Sequence, residues 1–176
     1  QPCSSAASDV YKRQPYVNIK PYKNRLLSID NIHNEMDIND IEIIIASGEP
    51  STRKKLYNNI KDMGLNIASL IDPTALVSNS STIGEGVIIA PFSNITSSTV
   101  LGHNVAINAH TIIGHDITIG EHSVISTNVT IGGDSTIGKE SFVGLGAQTK
   151  DKLSIGSQVI ISMGAIVFKD IPDKML

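Results

Sequence analysis

Four of the five histidines in this 176-residue chain, His103, His110, His115 and His122, lie in its C-terminal two-thirds. Imidazole titrates nearest to neutral pH, so each could act as a general base or, as the neutral ring, as a metal ligand. His115 differs from the rest because a carboxylate, Asp116, follows it directly in the segment INAHTIIGHDITIG. Such a carboxylate can orient the ring or favour its transient imidazolium, an electrostatic role rather than that of a second base. The one cysteine, Cys3, stands far from these residues, which argues against a covalent thiol intermediate among them.

These side chains sit in a repeat. Counting in sixes from Ile71 to Val167, every step is aliphatic except Thr149, and glycine often follows directly, as at Gly84, Gly102, Gly114 and Gly120. The fifth member of each hexad is mostly small or β-branched, as in Ala75, Val87, Thr99 and Val105. A period of six with this grammar predicts a hexapeptide parallel β-helix, a short strand and a corner per hexad and three hexads per coil. The aliphatic residue should point into a narrow axis that admits one such side chain per strand, each burial worth roughly 1.5–3 kcal/mol gross. Coils rise by about 4.8 Å, so residues three hexads apart should be vertical neighbours. On that rule Gly133 lies beside His115, leaving room above the ring and offering a backbone N–H to a developing oxyanion. His103, Glu121 and Lys139 should form a solvated column, and His122 should lie between Asn104 and Glu140, also at the surface.

Composition agrees. Aromatics make up 4% of the chain and Trp is absent, which suits many short strands better than an aromatic core. A net charge of −3 gives no broad basic surface, so nucleic acid is not an expected partner. No apolar run approaches the roughly 18 residues of a membrane span. With a single cysteine, a cytoplasmic protein is expected. The sequons at Asn79, Asn94 and Asn128 read as polar rungs.

Residues 1–14, QPCSSAASDVYKRQ, resemble a translated sequencing adapter, and the chain reads as a fragment whose native start lies upstream. Residues 15–70 read as a partial α/β domain and 71–170 as the β-helix. Residues 171–176 then form a truncated tail. Within the first domain, Leu26 and Leu27 suggest a short strand and IDNIH a helical turn, while His33 carries no argument. Ile41–Ser47 reads as a strand, followed by Gly48. A helix begins at Pro50 and Ser51 and ends at Gly64, with Leu56, Ile60 and Met63 on one face; Asn66–Ile71 reads as a second strand. This is a βαβ unit, with a ligand expected beyond the first strand near Gly48.

A small α/β domain ending in SGEPSTRKK, then LIDPTALV, then the I-G-H-D step, resembles the sugar O-acyltransferase family typified by sialic acid O-acetyltransferase. The chain is similar, too, to bacterial enzymes that N-acetylate UDP-linked 4-amino sugars. The resemblance, over roughly residues 15–174, implies a left-handed parallel β-helix preceded by a partial Rossmann-like domain. It implies an acetyl-CoA-dependent sugar acetyltransferase, a homotrimer, acting on a sugar or nucleotide sugar without a metal. In it His115 is the catalytic base, Asp116 assists, and Asn108 stands beside the site. Coenzyme A runs between neighbouring rods at positions matching Gly133, Gly144, Leu145, Met163 and Gly164, and Gly48 matches a nucleotide-sugar contact. Three features depart from the family: Val124 stands where some members have a second histidine, the glycine-rich loop after the first strand is absent, and so is the closing G-x-P-A element.

Two alternatives come from other classes. His110 and His115 are spaced like the H-x4-H pair of hexapeptide carbonic anhydrases, which bind zinc between subunits, although Thr74 stands where that family has its third histidine and His103 is on another edge. A rod that only trimerises and spaces a sugar-binding domain is the other, separable by whether acetyl-CoA binds saturably.

Overall fold

The structure, a computed structural model, describes residues 41–176. The adapter-like segment, the strand at Leu26–Leu27, the IDNIH turn, Cys3 and His33 lie outside the described residues.

The described chain opens with a short parallel pair. Strand β1, Glu42–Ile43, pairs with β2, Asn66–Ile67, and helix α1, Pro50–Asp62, connects them. Pro50 supplies a preset φ at the first helical position, and the Glu49 carboxylate accepts the Ser51 and Thr52 backbone N–H groups, capping the helix. Gly64, at φ +70°, turns the chain out of the helix in the left-handed region. The expected stripe of Leu56, Ile60 and Met63 is only partly right: Ile60 is buried but Leu56 is exposed, and Arg53 occupies the inner face instead. The segment Asn66–Ile71 is not one strand but two. Asn66–Ile67 belongs to the βαβ unit, whereas β3, Leu70–Ile71, is the first rung of the repeat and pairs with Ile88–Ile89.

From β3 onward the chain winds as a parallel β-solenoid with three sheets. The first face runs from Leu70–Ile71 to Ile160–Ile161 and the second from Leu76–Val77 to Ile166–Val167, six strands each; the third, with five, runs from Thr82–Ile83 to Ser154–Ile155. Successive strands visit the faces in turn, so Thr118 pairs with Val100 below and Thr136 above. Corners are tight because one residue in most of them adopts positive φ: Asn104, His110, Asp116, His122, Asn128 and Asp134 lie at φ 55–62°. Asn, Asp and His tolerate that conformation better than other non-glycine residues. Residues 171–176 continue the ladder, with a bridge from Ile171 to Ile155 and a 2.8 Å bond from the Ile160 N–H to the Met175 carbonyl.

The axis is filled by Ile95, Leu101, Ile107, Ile113, Ile119, Ile125, Ile131, Ile137 and Val143, each at most 1% exposed. One aliphatic residue per strand understates this core. The residue two positions earlier in the hexad is also buried, as at Val87, Val105, Ile117, Val129 and Val159, because side chains two apart in extended backbone share a face. Thr149 is tolerated on the axis because its hydroxyl accepts the Gly132 N–H at 3.0 Å.

Candidate active site

His115 and Asp116 form the corner between the second face, which ends at Ile113, and the third, which begins at Thr118. Ile113 and Ile117 on either side are fully buried, so the backbone of the corner is anchored from both ends while both polar side chains remain exposed. His115 Nδ1 lies 2.8 Å from Asp116 Oδ2. With the carboxylate as acceptor, Nδ1 carries the proton and Nε2 presents its lone pair. The face of the ring lies over Gly133 of the next coil, where an added Cβ would come 2.7 Å from Nε2, 2.9 Å from Cε1 and 3.0 Å from Cδ2. The missing side chain is thus what lets the imidazole lie against that coil.

Asp134 follows Gly133, and its backbone N–H donates to the His115 carbonyl at 2.9 Å. Its carboxylate joins His115 and Asp116 in a group whose ligand atoms lie within 4.8 Å of one another. All three side chains are exposed, and such acidic groups are common without an ion. Their effect on the imidazole is electrostatic. The hydrogen bond that the ring donates to Asp116, opposed by desolvation and supported by the charges of Asp116, Asp134 and Asp151, holds the His115 pKa above the ordinary histidine value.

The other expected site residues occupy other edges. Asn108 lies at the corner between the first and second faces, its amide donating to the Ile125 carbonyl at 3.1 Å. Gly144, Leu145, Met163 and Gly164 are on that same edge, higher up. Leu145 and Met163 are exposed neighbours on successive coils, and the Gly164 N–H donates to the Leu145 carbonyl at 2.8 Å. Within one chain, therefore, Gly133 is beside His115, whereas Asn108 and the four upper residues are one edge away. His110, stacked on Phe92 at 5.1 Å, shares the edge of Asn108 rather than that of His115. Val124 is buried.

Gly48 sits just before α1 and lines a cleft of about 520 Å³ with Glu49, Pro50 and Ser51 on one side and Glu140, Phe142, Gln158 and Ile160 of the solenoid on the other. Lys54 closes onto Glu140 at 2.8 Å.

The third edge, between the third and first faces, corrects an expectation. His103, Glu121 and Lys139 are exposed as a column, but His122 is not a surface residue: it is 6% exposed. Helix α1 packs against this edge and brings Tyr57 to 5.2 Å from the ring, which spacing along the repeat could not reveal. Arg53 and Asn104, central to that contact, were not singled out as functional residues by sequence reasoning. A charged residue at an inward helical position beside Ile60 was the available signal.

The family model for bacterial transferase hexapeptide (six repeats) matches residues 98–133. The acetyltransferase domain of PglB from Neisseria gonorrhoeae FA1090 is 30% identical at a TM-score of 0.78, over 81% of this chain and 69% of that one. The same domain in complex with acetyl coenzyme A matches at 30% and 0.78, over 80% and 69%. PerB from Caulobacter crescentus, in complex with CoA and GDP-perosamine, is 29% identical at a TM-score of 0.74, over 75% of this chain and 64% of that one. The chain thus spans about two-thirds of the length of these relatives.

Proposed function

We propose, from the premise that this chain belongs to the hexapeptide-repeat sugar acetyltransferases, that it moves an acetyl group from acetyl-CoA to a sugar or nucleotide-linked amino sugar. His115 is the general base. The observation that carries this is the disposition of one imidazole: Nδ1 held by Asp116, the ring seated over a residue with no side chain, on an exposed edge.

In the reaction, Nε2 takes the proton from the acceptor amine or hydroxyl as that atom attacks the thioester carbonyl. The new C–N or C–O bond forms, the C–S bond breaks, and the imidazolium returns its proton to the departing thiolate. Asp116 favours the transient imidazolium, and the Gly133 N–H steadies the oxyanion. Transfer is direct, within a ternary complex. Acetyl-CoA lies along Gly133, Gly144, Leu145, Met163 and Gly164. These residues occupy two edges of one solenoid, which supports a groove lined by neighbouring rods of a homotrimer. Asn108 borders that groove, and Gly48 contacts the nucleotide sugar. The solenoid is left-handed, and the enzyme works in the cytoplasm in surface glycan biosynthesis.

His115→Ala should lower turnover by at least about 100-fold with the fold intact, the scale for removal of a general base. Steady-state assay with UDP- and GDP-linked 4-amino sugars and free sialic acid makes the test. A near-normal rate in the mutant rejects the assignment, and no saturable acetyl-CoA binding by the native chain would favour a passive rod.

A further inference from the structure

Arg53 points inward from the first turn of α1 and is 1% exposed. Its guanidinium makes four hydrogen bonds to uncharged acceptors. Nε donates to the Asn104 carbonyl at 2.9 Å and Nη2 to Asn104 Oδ1 at 2.6 Å. Nη1 donates to the carbonyls of Ile45 at 2.7 Å and Ser47 at 3.0 Å. Burial depresses the pKa to about 10, so the group stays charged at neutral pH.

An aliphatic residue would dock the helix without desolvating a charge, and such replacements are often neutral or stabilising. What the guanidinium adds is direction, because its planar fork fixes several acceptors at set angles. Here those bonds tie the helix, which carries the donor, to two other places: the solenoid corner at Asn104 and the backbone that leads into Gly48. Asn104 is shaped for this. It sits at φ 56°, its amide also donates to the Arg53 carbonyl at 3.0 Å, and its Nδ2 lies 3.1 Å from His122 Nδ1.

We propose that Arg53 is a positioning residue for the acceptor: keyed to Asn104 on the solenoid, it holds the Ser47–Glu49 turn where the nucleotide-linked sugar is received. The proposal rests on the functional reading above, in which Gly48 contacts that sugar. Arg53 touches neither reactant, so its effect belongs in acceptor binding rather than in the chemical step.

The keying has a pH signature. His122 Nδ1 accepts from Asn104 only while the ring is neutral; protonated, two donors face each other. Burial lowers the His122 pKa most, with Lys54 and Arg53 of α1 acting the same way and Glu121 and Glu140 opposing; Tyr57 of α1 and His103 of the preceding coil complete the surroundings. Acidification should therefore raise the acceptor KM with a midpoint below the ordinary histidine value, apart from the His115 limb in kcat/KM, which lies above it.

The experiment compares full-length wild type, Arg53→Met and Asn104→Gly in steady-state kinetics with UDP- and GDP-linked 4-amino sugars. Expected for Arg53→Met is an acceptor KM raised about 10-fold or more, with kcat and the acetyl-CoA KM within about twofold, since only acceptor binding is disturbed. Asn104→Gly, which tolerates the positive φ, should move the same constant in the same direction and decides the matter if Arg53→Met does not fold. Folded variants with an unchanged acceptor KM, or with all three constants worsened alike, overturn the positioning role alone. A wild type that acetylates no nucleotide-linked sugar overturns the contact at Gly48 and the positioning role with it, and the functional reading falls too if free sialic acid is also refused.

Discussion

At His115 the identity of the nearest neighbours decides when the imidazole can work. A base must be unprotonated, and Asp116, with Asp134 and Asp151 behind it, stabilises the protonated ring. The acid limb of kcat/KM for transfer should accordingly fall at a pH above the ordinary histidine value. Asp116→Asn removes the hydrogen-bonding anion, so its limb should move to lower pH while its plateau rate falls. A pH–rate profile of both proteins reads this directly; a limb that stays put or rises on substitution would show that Asp116 does not govern the base. The carboxylate thus has two opposed effects, orienting the ring and narrowing its working range. The pairing of His115 with Asp116 is readable from sequence because the residues are adjacent. Asp134 stands three hexads on from Asp116, so the same period puts it on the neighbouring coil, although the sequence analysis drew attention only to Gly133 beside it.

Among elements, the corner between the second and third faces puts two glycines to different uses. At Gly114 an added Cβ would lie 2.8 Å from the Gly133 backbone nitrogen, which the ladder holds in place. At Gly133 it would meet the ring of His115, an exposed side chain that can swing away. Gly114→Ala should therefore cost stability, about 1–3 kcal/mol as for overpacking elsewhere. Gly133→Ala should leave stability nearly unchanged but displace the base, lowering turnover by about 100-fold, the scale of a small misplacement. Thermal unfolding beside an activity assay separates the two, and equal losses of stability would refute the distinction. Helix α1 gives the complementary lesson. Its start and end are legible from Pro50 and Gly64, yet its inner face is not, because Arg53 is buried only by meeting Asn104, 51 residues away.

Over the whole molecule, a solenoid in which each coil touches only its neighbours should lose order from its ends. Ile71 is 43% exposed at the first coil, whereas Ile107, Ile113, Ile119 and Ile125 are fully buried. Backbone amides of the strands at Leu70–Ile71 and Leu76–Val77 should then exchange with solvent at least about tenfold faster than those between Ile107 and Ile137, as sub-global opening predicts. Uniform protection along the chain would instead indicate a single cooperative unit. The same one-dimensional order explains why the expected acetyl-CoA residues fall on two edges. No coil of one chain can bend round to join them.

The repeat was determined by sequence alone, because a six-residue hydrophobic period leaves the backbone one economical way to bury it, and with the period come the vertical neighbours of every corner residue. So the period by itself groups His115, Asp116 and Gly133, as the structure finds them. Only the tertiary structure decided that His122 is buried, that Arg53 reaches Asn104 and the turn before Gly48, and that two side chains per hexad fill the axis. The physical reason is the range of the interactions. A period is written locally and repeats its instruction at every step, whereas the docking of a single helix on a solenoid edge is made once, between residues far apart in sequence, and has no period to announce it.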